Sequence, residues 1–302
     1  MNQVCAVVVT YNRLEMLKRC IAALKAQTSP CDILVIDNAS TDGTGDYLAG
    51  NEDIGFDKSI NYCCLDKNSG GAGGFNKGMR EAVERGYDYI WLMDDDVIPY
   101  PDALEKLLES DNILSGRYGW LSSVPLWTDG KGCRMNKQKI DSAFYDNIDH
   151  LQQGLLRSNY ATFVSLFMRR ETIIKAGLPI KEFFIWGDDI EFTRRISVRM
   201  KIPCYIAGQS LVIHAMKENN GSNIATDEMS RLNRYNYAFR NENYLYRKEG
   251  IKGFMFYFAK CGKNLMLSLF KAKDHRLKRA WIVLKQFFVG MSFNPEVEYL
   301  DK

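Results

Sequence analysis

Residues 4–24 read VCAVVVTYNRLEMLKRCIAAL, and this stretch decides the fold class. It opens with a continuous apolar run, which is typical of a strand that is buried on both faces of a sheet. Apolar residues then recur every three or four positions, as on the buried face of an amphipathic helix. These residues are Leu14, Leu17, Ile21 and Leu24. A buried strand that leads directly into such a helix predicts a βα unit.

The same pattern occurs three more times along the chain. DILVID at 32–37 precedes a helix that we expect after Thr41, and INYCCLD at 60–66 precedes one that we expect after Gly74. DYIWLMD at 88–94 is followed by the helical sequence PDALEKLLES. Strands that alternate with helices predict an α/β fold with a doubly wound, mostly parallel, Rossmann-like sheet.

The alternation loosens in the second half of the chain. Strands are expected at 119–127, 161–168 and 204–214, and a helix at 188–200. We assign residues 1–226 to one α/β domain that these elements complete. Residues 227–302 are assigned to a C-terminal region that we expect to be helical to its end.

The composition is that of a globular protein, with 302 residues of which 46% are apolar and 25% charged. The eight cysteines are scattered without a CxxC pair, which favours reduced thiols over a zinc or redox site. The N-terminus lacks the features of a signal peptide, and no apolar run is long enough to predict a membrane span. We therefore expect a cytoplasmic protein.

The formal net charge of +3 is unevenly distributed, because residues 244–291 contain eleven Lys or Arg and only two acids. Basic segments bind nucleic acid or anionic membranes, and the many apolar side chains here favour peripheral contact with the inner face of the cell membrane. We expect no nucleic acid. The alternatives are packing on the first domain or a homo-oligomer contact. One helix side carries Lys252, Lys260, Lys263 and Lys271, and the other carries Phe254, Phe258, Leu265 and Leu269.

Each of the first four predicted strands ends in a polar cluster: TYNR at 10–13, DNASTDGT at 37–44, KNSGGAGG at 67–74 and three aspartates at 94–96. Ligands bind outside the carboxyl ends of parallel strands, so these clusters predict one crevice. Adjacent aspartates repel one another unless a cation neutralises them, which predicts Mn²⁺ or Mg²⁺ holding a diphosphate. The glycines around Gly71 would let the backbone approach that ligand, or they only form a turn.

Six motifs in the chain occur in the order found in family 2 glycosyltransferases: VVVTYNR, VIDNASTDGT, NSGGAGGFNKG, LMDDD, FFIWGDDIEFTRR and VIHA. Over about residues 3–215 the chain resembles that family, whose fold is GT-A. The combination of GGAGGF, MDDD and WGDD resembles more narrowly the bacterial galactofuranosyltransferases that use UDP-galactofuranose.

This resemblance implies a metal-dependent, inverting transfer of a sugar from a UDP-sugar onto a hydroxyl of a lipid-linked glycan in cell-surface polysaccharide synthesis. The rival interpretation is a rhamnosyltransferase that uses dTDP-rhamnose, because those relatives share TYNR, DNxSxD and a pair of acids. A non-catalytic protein that binds nucleotide sugars is the more remote alternative.

The resemblance also implies roles for the residues at the strand ends. The uridine pocket would be lined by Thr10, Arg13, Asp37 and Asn68. A carboxylate such as Asp37 can accept from a uracil N–H, although it and Thr10 could instead cap helices or turns. The metal would be bound by Asp94, Asp96 and His214, with Asp94 or Asp95 also contacting the ribose or sugar. A histidine at a strand end is otherwise structural.

The segment WGDDIEF at 186–192 carries the predicted chemistry. Inverting transfer needs one carboxylate that removes the acceptor hydroxyl proton, while a metal stabilises the departing UDP. By the resemblance Asp189 is this base, and Asp188 and Glu191 orient it or bind acceptor hydroxyls. Trp186 would stack on a sugar face. The alternative is that the acids only favour a helix N-terminus and that the tryptophan belongs to the core.

Overall fold

The computed structural model describes residues 3–50 and 59–300, so the outermost residues of the two predicted regions, 1–2 and 301–302, lie outside the described part. The first half alternates strands and helices as the sequence predicts. Its elements are β1 (Val4–Thr10), α1 (Leu14–Lys25), β2 (Asp32–Asp37), α2 (Thr44–Gly50), β3 (Ile60–Cys64), α3 (Gly70–Glu84), β4 (Tyr89–Asp94), β5 (Val97–Pro99) and α4 (Ala103–Leu114).

The second half contains shorter elements, followed by three long helices. Its strands are β6 (Leu121–Leu126), β7 (Lys139–Ile140), β8 (Leu155–Tyr160), β9 (Leu166–Arg169) and β10 (Tyr205–His214). Its helices are α5 (Ile148–Gln152), α6 (Arg170–Ala176), α7 (Asp188–Arg194, continued by the π-helical turn Arg195–Arg199), α8 (Arg234–Lys248), α9 (Ile251–Phe270) and α10 (Arg276–Ser292). The strand expected at 161–168 begins only at Leu166, and β8 was not predicted.

The described strands form one sheet in the order β3-β2-β1-β4-β9-β6-β10-β8-β7, with β5 paired to β10. β1 pairs in parallel with β2 on one side and with β4 on the other. The strand order therefore reverses at β1, and a crevice opens there at the carboxyl ends of β1 and β4. The predicted doubly wound, mostly parallel α/β sheet is confirmed, with β9 antiparallel between β4 and β6.

Both faces of the sheet are covered, which explains why β1 is apolar along its whole length. Ala6 and Val8 pack beneath α1 and α4 on one face. Cys5, Val7 and Val9 pack beneath α3 on the other. Each aliphatic side chain that is fully buried in this way stabilises the fold by about 1.5–3 kcal/mol. The eight cysteines are free, as expected.

The glycine-rich segment is helical, which corrects the expectation that this helix begins after Gly74. Helix α3 begins at Gly70, where φ is +73°, and two of its glycines, Gly74 and Gly78, face the sheet. A Cβ on Gly74 would lie 2.5 Å from Val9 Cγ1, and one on Gly78 would lie 2.3 Å from Val7 Cγ1. The glycines therefore allow α3 to approach β1 more closely than a helix with side chains could.

Helices α8, α9 and α10 pack together around a small core that includes Tyr235, Tyr257 and Ile282. The faces predicted for α9 need correction. Leu265 packs into this core, and Lys260 forms an ion pair with Glu242 of α8 at 2.6 Å. No helix in residues 3–50 and 59–300 combines the length and apolar character needed to cross a membrane.

The chain is not helical to its end, in contrast to the prediction. Residues 293–300 form a tail that returns to the sheet. Glu298 accepts hydrogen bonds from Asn76 and Arg80 of α3, and its carbonyl accepts from the backbone N–H of Leu178. Leu300 is buried in the core on the α3 side. The tail lacks the helical periodicity on which the prediction depended.

Candidate active site

The acids that end β4 are brought to a histidine by a strand pair that the sequence did not predict. β5 follows the aspartates directly and runs antiparallel to the end of β10, with Val97 opposite His214. This register places His214 Nε2 3.2 Å from Asp96 Oδ1. One possible ligand atom from each of Asp94, Asp96 and His214 lies within 4.8 Å of the others.

The chemistry of this cluster fits a divalent cation. Asp96 and His214 are 7% and 6% exposed. Their 3.2 Å contact lacks hydrogen-bond geometry, and Asp96 Oδ1 and His214 Nδ1 have no hydrogen-bond partner within residues 3–50 and 59–300. Buried polar atoms of native proteins are rarely left without a partner, so these two atoms indicate that the site binds an ion. Carboxylate oxygens suit Mg²⁺ and Mn²⁺, and Mn²⁺ also accepts imidazole nitrogen.

Arg13 lies beside the aspartate triplet, where its Nη1 is 2.7 Å from Asp96 Oδ2 and 3.3 Å from Asp95 Oδ1. Thr10 Oγ1 donates to Asp95 Oδ2 at 2.7 Å. Both residues thus contact the carboxylates directly. Three neighbouring acids need a positive charge nearby. This need is the sequence signal that could have placed Arg13 beside them.

Burial and charge set different proton affinities for the three acids. Burial, reinforced by repulsion from Asp96, raises the pKa of Asp94 well above its ordinary value. Burial raises the pKa of Asp95 to about 6. Burial alone would raise the pKa of Asp96 too, but His214 and Arg13 outweigh it and lower that pKa. Asp96 is therefore the acid of this cluster that loses its proton most readily.

The remaining residues predicted for the uridine pocket make local contacts. Asp37 is 1% exposed and accepts from the backbone N–H of Ser40 and from Tyr62 Oη, both at 2.9 Å. Asn68 Oδ1 accepts from the backbone N–H of Gly70 at 2.8 Å, where α3 begins. The contact of Asp37 with Ser40 is a turn contact of the kind that the alternative interpretation gives this residue. A Cβ on Gly71 would meet nothing within 4 Å, so its backbone borders open space.

The paired acids begin α7, directly after a loop with unusual backbone angles. Asp188 is buried, and Asp189 is partly exposed with Oδ1 accepting from the Ile190 N–H at 2.7 Å. Burial and repulsion by Asp189 raise the pKa of Asp188. Burial also raises the pKa of Asp189. Asp189 is thus the accessible member of a pair that takes up protons more readily than ordinary aspartates do.

Trp186 and Glu191, which were predicted to bind the acceptor, lie in different environments. Trp186 packs edge-on against Tyr235 of α8, with ring centroids 5.1 Å apart, so the C-terminal helices cover part of it. Glu191 is 1% exposed and is ion-paired with Arg195 and Arg199. The structure does not bring Glu191 into the site, and we assign it no acceptor contact. The i,i+4 spacing of Glu191 and Arg195 is the sequence signal for this ion pair.

Two residues that the sequence analysis did not single out bind the loop before the acid pair. Arg240 and Asn241 of α8 donate to backbone carbonyls within residues 182–186. They lie in the helical sequence YAFRNENYL, in which no motif or periodicity distinguishes them from their neighbours.

A protein-family model matches the part of the chain that contains the polar strand ends. The model described as Glycosyl transferase family 2 matches residues 5–112, which run from β1 into α4 and include the three aspartates. Residues 5–112 thus match a family 2 glycosyltransferase domain. The predicted resemblance to this family is therefore confirmed.

Individual relatives of this glycosyltransferase cover most of its length. It is 27% identical over 274 residues to galactofuranosyltransferase GlfT1 of Mycolicibacterium smegmatis, covering 82% of this chain and 84% of the relative. It is 26% identical over 267 residues to dTDP-rhamnosyl transferase RfbF of Shigella flexneri, covering 83% and 82%. The crystal structure of GalNAc-T7 with UDP, GalNAc and Mn²⁺ matches with a TM-score of 0.66 at 13% identity, covering 96% of this chain and 56% of that one. This likeness confirms the GT-A fold.

Proposed function

We propose that this glycosyltransferase moves galactofuranose from UDP-galactofuranose onto a hydroxyl of a lipid-linked glycan, with inversion at the anomeric carbon. The observation that carries the proposal is the convergence of Asp94, Asp96 and His214 at the end of β4, in a chain similar to a galactofuranosyltransferase over most of its length. The crystal structure of the GT-A neighbour GalNAc-T7 with UDP and Mn²⁺ supports a divalent metal in such a fold.

In the proposed reaction the Asp189 carboxylate takes the proton of the acceptor hydroxyl. The acceptor oxygen then bonds to the anomeric carbon from the face opposite UDP, and the carbon–oxygen bond to UDP breaks with its electron pair leaving on the diphosphate. A divalent cation bound by Asp94, Asp96 and His214 would stabilise that charge. Arg13, which lies beside these acids, is a second cation for the diphosphate.

A rhamnosyltransferase is the second candidate, because the similarity to dTDP-rhamnosyl transferase RfbF also spans most of the chain. Both candidates need the same acids and base, so they differ only in the nucleotide and sugar. Neither Asp37 nor Thr10 distinguishes uracil from thymine, since the two bases present the same N–H and carbonyl groups.

The donor can be identified by offering the purified chain a panel of UDP- and dTDP-sugars with Mn²⁺ and measuring nucleotide release. We expect UDP release with UDP-galactofuranose and little release with the other sugars. Release of dTDP from dTDP-rhamnose alone would replace this proposal by its rival. Tight UDP binding without turnover of any donor or acceptor would favour the non-catalytic alternative.

We also propose that the C-terminal helices contact the anionic inner face of the membrane, where a lipid-linked acceptor would be available. Helices α9 and α10 each present a stripe of exposed apolar side chains at helical spacing. The stripe on α9 comprises Ile251, Met255, Phe258, Met266 and Phe270, and that on α10 comprises Leu277, Trp281, Leu284, Phe288 and Met291. Large exposed apolar surfaces of this kind mark interaction sites.

The charge around these stripes favours a lipid partner over a second protein chain. The exposed cations of these two helices and of the connection between them are Lys252, Lys263, Lys271, Lys273, Arg276, Lys278 and Lys285. Asp274, the acid in the connection between α9 and α10, is ion-paired with Arg279. Each cation near an anionic surface contributes about 1 kcal/mol of attraction, whereas two copies of this face would repel each other.

Vesicle co-sedimentation tests this contact. We expect salt-sensitive binding to phosphatidylglycerol vesicles and weak binding to phosphatidylcholine vesicles. The variant Trp281→Ala with Phe288→Ala should lose binding, whereas the control Tyr145→Ala removes an equally exposed aromatic ring outside these helices. Indifference to both vesicle types, together with a concentration-dependent dimer, would replace the membrane by a second copy of the chain.

A further inference from the structure

The loop that precedes the paired acids is held in a backbone conformation that side chains rarely adopt. Phe184 and Trp186 have φ angles of 63° and 62°, and Gly187 has 91°. Non-glycine residues with positive φ persist only where surrounding contacts enforce them, and such residues cluster at functional sites. Asp188 and Asp189 follow this loop directly, so the conformation of the loop sets where their carboxylates point.

The contacts that enforce this conformation come largely from one side chain of α8. Asn241 is fully buried at 0% exposure. Its Nδ2 donates to the carbonyls of Phe183 at 3.0 Å, Ile185 at 3.3 Å and Trp186 at 2.8 Å. Its Oδ1 accepts from the guanidinium of Arg240, which also donates to the carbonyl of Glu182 at 2.6 Å. The Asn241 amide group therefore binds three backbone carbonyls within residues 183–186.

The glycine helix holds the opposite side of the same loop. The Ala72 backbone N–H donates to the Phe184 carbonyl at 3.1 Å, and a Cβ on Gly70 would lie 1.9 Å from that oxygen. The loop is therefore fixed between α3 and α8. Asn241 holds the loop through its side chain, which can be changed without altering either backbone.

We infer that Asn241 is a positioning residue for the catalytic carboxylates, which it orients by holding the loop at residues 183–187. The inference rests on the proposed function, because it takes Asp189 as the base. Without the amide donor, buried carbonyls of the loop lose their partners, and Phe184 and Trp186 are free to relax toward negative φ. A displacement of the base by about 1 Å is enough to slow a reaction on the order of 100-fold.

The chain offers a matched control two positions further along the same helix. Asn243 is also fully buried, and its Nδ2 also donates to a backbone carbonyl, that of Phe287 at 2.8 Å. That carbonyl belongs to α10 and not to the loop before the acids. Replacing either asparagine removes a buried amide from α8, but only one replacement touches the active site.

The test compares Asn241→Ala and Asn243→Ala in the full chain, using the nucleotide sugar that supports turnover. We expect Asn241→Ala to lower kcat by about 10–100-fold. Its KM for the donor and its UDP affinity by calorimetry should change less than about threefold, because the donor residues lie at the ends of β1 and β4. Asn243→Ala should lower the melting temperature by a similar amount and leave kcat near that of the wild type.

Two further variants keep the test decisive. Asn241→Asp preserves the shape of the side chain but lacks the amide donor, so it should lose kcat even if Asn241→Ala does not fold. Equal losses of kcat in the Asn241 and Asn243 variants would overturn this inference. A normal kcat in Asn241→Asp, with Asp189→Asn inactive, would also overturn it. Both outcomes leave the proposed function unchanged. Normal turnover of Asp189→Asn would overturn the base assignment of the proposed function, and this inference with it.

Discussion

Asp96 is the acid of its cluster whose pKa is lowered, because His214 and Arg13 outweigh its burial. It can therefore bind a divalent cation without first losing a proton. We predict that Asp96→Ala abolishes the gain in UDP affinity that Mn²⁺ provides, which calorimetry with and without the metal measures. Asp46→Ala, which removes an exposed acid of α2, is the control. Metal-independent UDP binding by the wild-type chain would contradict the prediction.

The pH dependence of turnover should follow the proposed base. Burial raises the pKa of Asp189 to about 6, above its ordinary value of 3.8. The base acts only when ionised, so we predict that kcat/KM falls about tenfold per unit as the pH drops below about 6. UDP affinity must be measured over the same range, because Asp95 also has a pKa raised by burial to about 6. If the remaining kcat/KM of Asp189→Asn still falls at low pH, this decrease belongs to the donor site and not to the proposed base.

Individual residues show where sequence reasoning reaches its limit. The sequence placed Asp96 at the end of β4, and the structure finds it there beside His214, because the aspartate triplet follows a strand whose end is readable from the pattern. Arg13 was assigned to the uridine and is found beside the aspartates, since an arginine side chain can reach several partners. Glu191 was assigned to the acceptor, but the residue three positions after Asp188 turns away toward Arg195.

Helix α3 can approach the sheet because of its glycines, and this makes a prediction at the scale of one element. A Cβ on Gly78 would lie 2.3 Å from Val7 Cγ1 and 3.0 Å from Ile36 Cγ1, both buried in the core. Gly78→Ala should lower the free energy of unfolding in urea by about 1–3 kcal/mol.

The matched control for this helix is Gly262→Ala. Gly262 is exposed on α9 with open space around its Cα, so alanine there should stabilise by about 0.5–1 kcal/mol through helix propensity. If both substitutions shift stability in the same direction, close packing of α3 is not what the glycines provide.

The elements differ in how well the sequence predicts them. The βα units were predicted because their periodicity is local and spans many residues. β5 has three residues and β7 has two, so neither contains enough positions to show an alternating pattern. The start of α3 was placed too late because glycines normally interrupt helices, whereas here the gain from packing on β1 outweighs their low helix propensity.

At the scale of the whole molecule, the tail joins the end of the described chain to the sheet. Leu300 is 9% exposed within the core on the α3 side. We predict that Leu300→Ala lowers the free energy of unfolding by about 2 kcal/mol, at the lower end of the range for a buried leucine. Glu296→Ala, in an exposed part of the same tail, should change it by less than about 0.5 kcal/mol. Equal effects would mean that the tail does not contribute to the core.

The pairing of β5 with β10 also affects the order in which the protein can fold. The β4 acids and His214 come from distant parts of the sequence, and the register of Val97 with His214 brings them together. Contacts of high sequence separation form slowly, because a long loop must close before they contribute. Uptake of Mn²⁺ during refolding should therefore lag behind the recovery of secondary structure, and the paramagnetic signal of the ion would report the moment at which β10 joins the sheet.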